Sequence, residues 1–137
     1  MTRNGFTLIE LMVVIVIVSV ITAILVPNYQ SYKRKNNEHI ALQALGNIAM
    51  ELEKNKERNF SFDGYSLSLD QRTIPAGKTG DEVKYKVFMD KTLQTWTVYA
   101  CINDTLPDAA KYKNFAKLND GRECEWSGSC ILPAGCK

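Results

Sequence analysis

Residues 5–27 read GFTLIELMVVIVIVSVITAILVP. Phe6 to Val26 makes 21 residues with one ionisable side chain, Glu10. A helix of that length spans about 31 Å, against a bilayer hydrocarbon core of about 30 Å, so the stretch predicts a membrane span. Composition does not account for the place of the lone carboxylate, just inside the apolar run. A charged side chain there costs roughly 2.5–3.5 kcal/mol on insertion scales, so Glu10 calls for a partner and a purpose.

Ahead of this stretch stands MTRNG, a short polar leader with one basic residue. Behind it come Pro27, Tyr29 and Tyr32. The order of leader, Gly5, Phe6, TLIEL and apolar run resembles the amino terminus of type IV pilins and the pseudopilins of type II secretion. The resemblance is dense over residues 5–32, about a fifth of the chain. It implies a prepilin peptidase that cuts between Gly5 and Phe6 and methylates the new amino-terminal Phe6. It also implies that Glu10 acts in assembly. The amine of one subunit and the Glu10 carboxylate of another are each costly in lipid, and largely neutralise one another when paired. A tolerated acidic residue near a membrane interface is the plainer alternative. A secretory signal peptide fits less well, because its apolar core would be about 7–15 residues and a small-x-small cleavage site would follow.

Removing five of the 137 residues leaves a mature chain of 132. Beyond the span this is enough for one small domain. The 17 basic and 15 acidic side chains nearly balance, and more closely still once Arg3 leaves with the leader. A strongly basic chain would have pointed to nucleic acid as a general partner, and that signal is missing. All four cysteines lie beyond residue 100, in the part that a cytoplasmic leader sends outward, where disulfides persist.

Pro27 lacks an N–H and its ring clashes with the carbonyl of Ala23, so a kink or a stop is expected there. Helical pattern resumes at once. Ala41, Ala44, Leu45, Ile48 and Leu52 fall on one face, with His39, Gln43, Met50 and Glu53 roughly opposite. The reading is one helix from residue 6 to about 58, its second half laid on a folded head. Gly46 inside it costs about 1 kcal/mol relative to Ala, and either admits another segment closely or is merely tolerated. The run Lys33, Arg34, Lys35 points to lipid head groups, yet the positive-inside rule would put it in the cytoplasm and the pilin topology puts it outside.

Residues 59–82 carry turn chemistry and join helix to sheet, with a short strand expected at 65–69. Alternation then predicts strands at 83–89 (VKYKVFM) and 94–101 (QTWTVYAC), joined at 90–93 as a hairpin, and a third near 114–119. The segments are therefore leader 1–5, span or fibre-core helix 6–27, amphipathic helix 28–58, loop 59–82, and sheet with tail 83–137. The fold class is α+β: a long kinked helix on a small antiparallel sheet, with a disulfide-stapled carboxyl-terminal region, the type IV pilin fold.

Cys101, Cys124, Cys130 and Cys136 allow three pairings. Closure of short hairpin-like segments favours Cys101–Cys124 and Cys130–Cys136. A zinc site is the rival, but the five-residue gaps exceed the usual spacing and the only histidine is far away on the helix. The family resemblance implies a single disulfide in this region, from which two bridges depart.

No catalytic arrangement emerges and no cofactor or metal is expected. His39 stands beside Glu38 with no serine motif near it. Asp104, Asp108, Asp120 and Glu125 lack the spacing of a helix-loop-helix calcium site. Lys111, Lys113, Lys117 and Arg122, with Tyr112 and Trp126 nearby, form a candidate DNA contact, diluted by Asp108, Asp120, Glu123 and Glu125.

The expected function is a major or minor pilin of a type IV pilus, serving adhesion, twitching motility or DNA uptake. The alternatives are a pseudopilin of type II secretion and a DNA-binding minor pilin. The partners implied are other pilin subunits, the prepilin peptidase, an inner-membrane assembly platform, and the membrane itself before assembly. The implied location is the inner membrane for the precursor, then an extracellular fibre or a periplasmic pseudopilus.

Overall fold

A computed structural model describes residues 5–137. Residues 1–4 of the expected leader lie outside the described residues. Two compact units are present, the first ending at Lys35 and the second Asn36–Lys137. Helix α1, Leu8–Asn59, contributes to both.

In the first unit, α1 opens on a Thr7 cap and runs through Pro27 without ending. The stop alternative is thus not what the chain adopts. Its apolar side chains stand about half exposed or more. Polar groups within the run bond inward instead. Ser19 Oγ donates to the Ile15 carbonyl and Thr22 Oγ1 to the Val18 carbonyl, each at 2.6 Å. Such back-bonding leaves no unmet hydroxyl in an apolar medium.

In the second unit, Ala41, Leu45, Ile48 and Leu52 are buried against one face of a five-stranded sheet. Full burial of Leu45 or Leu52 contributes about 1.5–3 kcal/mol each. The strands are β1 (Thr73–Ile74), β2 (Tyr85–Lys91), β3 (Trp96–Ile102), β4 (Asn114–Leu118) and β5 (Glu123–Trp126), antiparallel in sequence order. Tyr85, Val87, Trp96, Val98, Ala100 and Phe115 join the helix residues in one core. The alternation of β2 and β3, and the pairing of Phe115 on β4 with Ala100, direct them inward, as period-two strands must.

Several expectations are corrected. The hairpin turn lies at 92–95 instead of 90–93, because the Thr92 hydroxyl accepts the Gln94 and Thr95 N–H groups and fixes the chain reversal there. No strand forms at 65–69. The carbonyls of Phe62, Asp63 and Tyr65 are taken up by the Lys91 ammonium, and Ser68 and Gln71 close a short helical turn, Leu69–Arg72. The edge strand is instead Thr73–Ile74.

The disulfides are Cys101–Cys130 and Cys124–Cys136, not Cys101–Cys124 and Cys130–Cys136. The cause is β5, a four-residue strand that the sequence reading did not place. Cys124 pairs with Ala116 on β4, and Ala116 with Tyr99 on β3. Cys101 and Cys124 therefore stand two strands apart, about 9–10 Å at ordinary strand spacing. A disulfide needs Cα atoms within about 4.4–6.8 Å. The bridges formed have Cα separations of 5.6 and 6.2 Å.

Candidate assembly site

The amino-terminal end of α1 is built by Thr7 and Glu10. The Thr7 backbone N–H and hydroxyl donate to Glu10 Oε2 at 2.8 and 2.9 Å. The Glu10 N–H donates in return to Thr7 Oγ1 at 3.3 Å. This is a capping box, in which a threonine and a glutamate three residues on satisfy one another's orphan donors. The sequence signal was the run TLIE, whose threonine the apolar pattern conceals. Phe6, beside this box, is 91% exposed. Gly5, on the other side of the expected cleavage position, is exposed as well. The 18-residue apolar window of α1 is long enough to cross a membrane and has none of its residues buried.

The four basic residues do not gather into an open cationic patch. Lys113 pairs with Glu125 at 2.7 Å, Lys117 with Glu123 at 2.5 Å, and Arg122 with Asp120 at 2.5 Å. Hydrogen bonding from Lys113 to Glu125, then the charge of that carboxylate, raises the pKa of the ammonium. The backbone N–H of Arg122, then its guanidinium, lower that of Asp120. Lys111 is exposed at the end of a short helical turn, Ala109–Lys111. Lys117 reaches across to α1, where its Nζ lies nearest the empty side of Gly46. Asp120 and Glu125 are thus already engaged by cations, and among the described residues no cluster of three potential metal ligands forms. His39 meets Gln43 at 3.3 Å on the exposed side of the helix.

The tail closes the outer face of the sheet, opposite the helix. Cys101, Ala116 and Leu118 project outward by register yet are buried, and Cys136 is buried with them. Two disulfides, the Arg122 guanidinium on the Gly135 carbonyl at 2.9 Å and the Trp126 indole N–H on the Ser129 carbonyl at 2.9 Å hold the tail down. Buried Asn114 completes the arrangement. Its amide donates to the Gly128 carbonyl at 3.1 Å and its oxygen accepts the Ile102 N–H at 2.9 Å. No spacing rule singles out Asn114, because its role exists only once β3, β4 and the tail are assembled.

The prokaryotic N-terminal methylation motif matches residues 1–26. A fimbrial protein of Moraxella nonliquefaciens is 34% identical over 79 residues, covering 57% of this chain and 51% of the relative. The type IV major fimbrial protein FimA of Dichelobacter nodosus is 28% identical over 102 residues, covering 64% and 65%. The chain thus spans about half to two thirds of the length of these relatives. No solved structure matches it significantly.

Proposed function

We propose that this chain, a type IV pilin by its amino-terminal methylation motif and its fold, is a structural subunit of an extracellular type IV fibre. The observation that carries the proposal is the apolar half of α1, whose apolar window has none of its residues buried among the described residues. Such a surface belongs first in lipid and then, on assembly, against the same surface of other subunits. Leader removal between Gly5 and Phe6 by a prepilin peptidase and methylation of Phe6 precede that transfer. An inner-membrane platform receives the subunit, and the Glu10 carboxylate meets the amine of a neighbouring chain and sets its register. The fimbrial names of both relatives favour a pilus over a periplasmic pseudopilus. Adhesion and twitching motility are the roles such a fibre serves. DNA uptake through Lys111, Lys113, Lys117 and Arg122 is disfavoured, since three of these cations already hold carboxylates.

Mass spectrometry of sheared surface fibres tests the proposal. Expected is a chain that begins at N-methylated Phe6, at an abundance that also ranks it as major or minor. Gly5→Val should leave the full-length precursor in the membrane. A fibre fraction without this chain, or efficient leader removal from Gly5→Val, would count against it.

A further inference from the structure

Lys33, Arg34 and Lys35 sit on α1 just past the apolar run. None of the three makes an ion pair among the described residues. Glu38, the nearest acidic residue in sequence, is occupied by the Lys113 backbone N–H at 3.1 Å. Successive residues of an α-helix are about 100° apart, so three in a row point to three sides instead of forming a stripe. A partner protein or a flat membrane surface under a helix lying on it would contact one side only. Head groups around a helix that crosses the bilayer contact all sides.

The axial position agrees. From Glu10 to Lys33–Lys35 the helix rises about 35–38 Å, which takes the basic residues past a hydrocarbon core of about 30 Å and into the opposite head-group layer. Tyr29 and Tyr32, 67% and 71% exposed, lie one turn before Lys33 and directly before it. That is the interfacial level where tyrosines are enriched. Long basic side chains there extend toward phosphate while their methylenes stay in the apolar layer.

We propose that Lys33, Arg34 and Lys35 form a cationic collar that binds the anionic lipid head groups of the outer leaflet of the inner membrane, with exposed Lys33 and Lys35 on nearly opposite sides of the helix and half-buried Arg34 between them. The collar rests on the reading of residues 6–26 as a span. It accounts for basic residues on the side that the positive-inside rule disfavours: they fix the depth of the waiting subunit, while its orientation is set elsewhere.

The test is lipid selectivity of the full-length chain reconstituted in phosphatidylcholine vesicles. Electron spin resonance reads the motionally restricted fraction of trace spin-labelled phosphatidylglycerol against spin-labelled phosphatidylcholine. The parent should prefer phosphatidylglycerol by at least about three-fold at low salt, and high salt should reduce that preference. The Lys33→Gln, Arg34→Gln, Lys35→Gln triple variant should fall toward equal association. No preference in the parent, or a full preference in the variant, overturns the collar. Unchanged selectivity with weakened cross-linking between copies would assign these residues to an acidic surface of a second subunit, and overturns it equally. Resistance to alkaline extraction is measured alongside. A chain extracted by alkali would overturn the span, and the collar with it, whatever the lipid selectivity proves to be.

Discussion

Thr7 and Glu10 hold one another across the first turn of α1, the threonine N–H at 2.8 Å from the glutamate carboxylate and the glutamate N–H at 3.3 Å from the threonine hydroxyl. A carboxylate expected to serve a neighbouring subunit thus already has donors in its own chain. Two substitutions separate the roles. Glu10→Ala removes the carboxylate half of the capping box and the partner for an incoming amine, so the protein should be made, processed and retained in the membrane but poorly incorporated into fibres. Thr7→Ala removes the hydroxyl, which is one donor to the carboxylate and the acceptor of the Glu10 N–H, and costs about 1 kcal/mol of helix capping while leaving the carboxylate in place, so incorporation should fall less. The ratio of fibre to membrane protein for the three chains is the measurement. Equal losses in the two variants would place the importance of Glu10 in the cap alone.

The two bridges should contribute unequally. Cys101–Cys130 spans 29 residues and Cys124–Cys136 spans 12. In the chain-entropy model these correspond to about 3.6 and about 2.8 kcal/mol. Paired alanine substitutions at 101 and 130 should therefore lower the urea midpoint more than those at 124 and 136. Non-reducing peptide mapping should recover the two bridges and no free thiol, and a Cys101–Cys124 peptide would contradict the strand order itself.

Gly46 is predicted to be replaceable. A Cβ there would meet only the flexible Lys117 Nζ at 3.9 Å, an ordinary contact. Gly46→Ala should then stabilise the folded chain by up to about 1 kcal/mol through helix propensity. Chemical denaturation in detergent reads the change. A loss of stability would mean that the Lys117–Glu123 pair depends on the open space.

Tyr65 gives a stability limit at high pH. Burial first, then its hydrogen bond to Glu51, push its pKa from 10.0 to about 12. The folded chain thus keeps a proton that the unfolded chain releases between these values. Stability from this group is full below pH 10 and lost as pH rises toward 12. Tyr65→Phe, which cannot ionise, should flatten the decline in unfolding midpoint over that interval. An unchanged slope would show that Tyr65 is not the group responsible.

The helix and its buried stripe were legible because both rest on local periodicity: an unbroken apolar run, then Ala41, Leu45, Ile48 and Leu52 at helical spacing. The central hairpin was legible for the same reason, through the alternation around Val87 and Val98. Strand β5 was not, since the alternation of Glu123, Cys124, Glu125 and Trp126 is only four residues long and becomes a strand by pairing with β4. With it went the disulfide pairing. Thr7 was missed differently. Its signal, a threonine three residues before a glutamate, was present but masked by the apolar run in which it stands. The Lys91 ammonium was beyond reach, because it caps carbonyls almost thirty residues earlier in the chain.

The Cys101–Cys130 bridge also decides how the subunit carries tension. A pull applied between the helix and the end of the tail passes along the chain to Cys101, crosses the bridge and leaves from Cys130. Residues 102–123, with β4 among them, lie on a slack side branch that cannot be drawn out while that sulfur–sulfur bond holds, and residues 124–136 form a ring, closed by the second bridge, whose two arms share the load. Residues 102–123 can therefore be cut or varied in sequence without lying in series with the load.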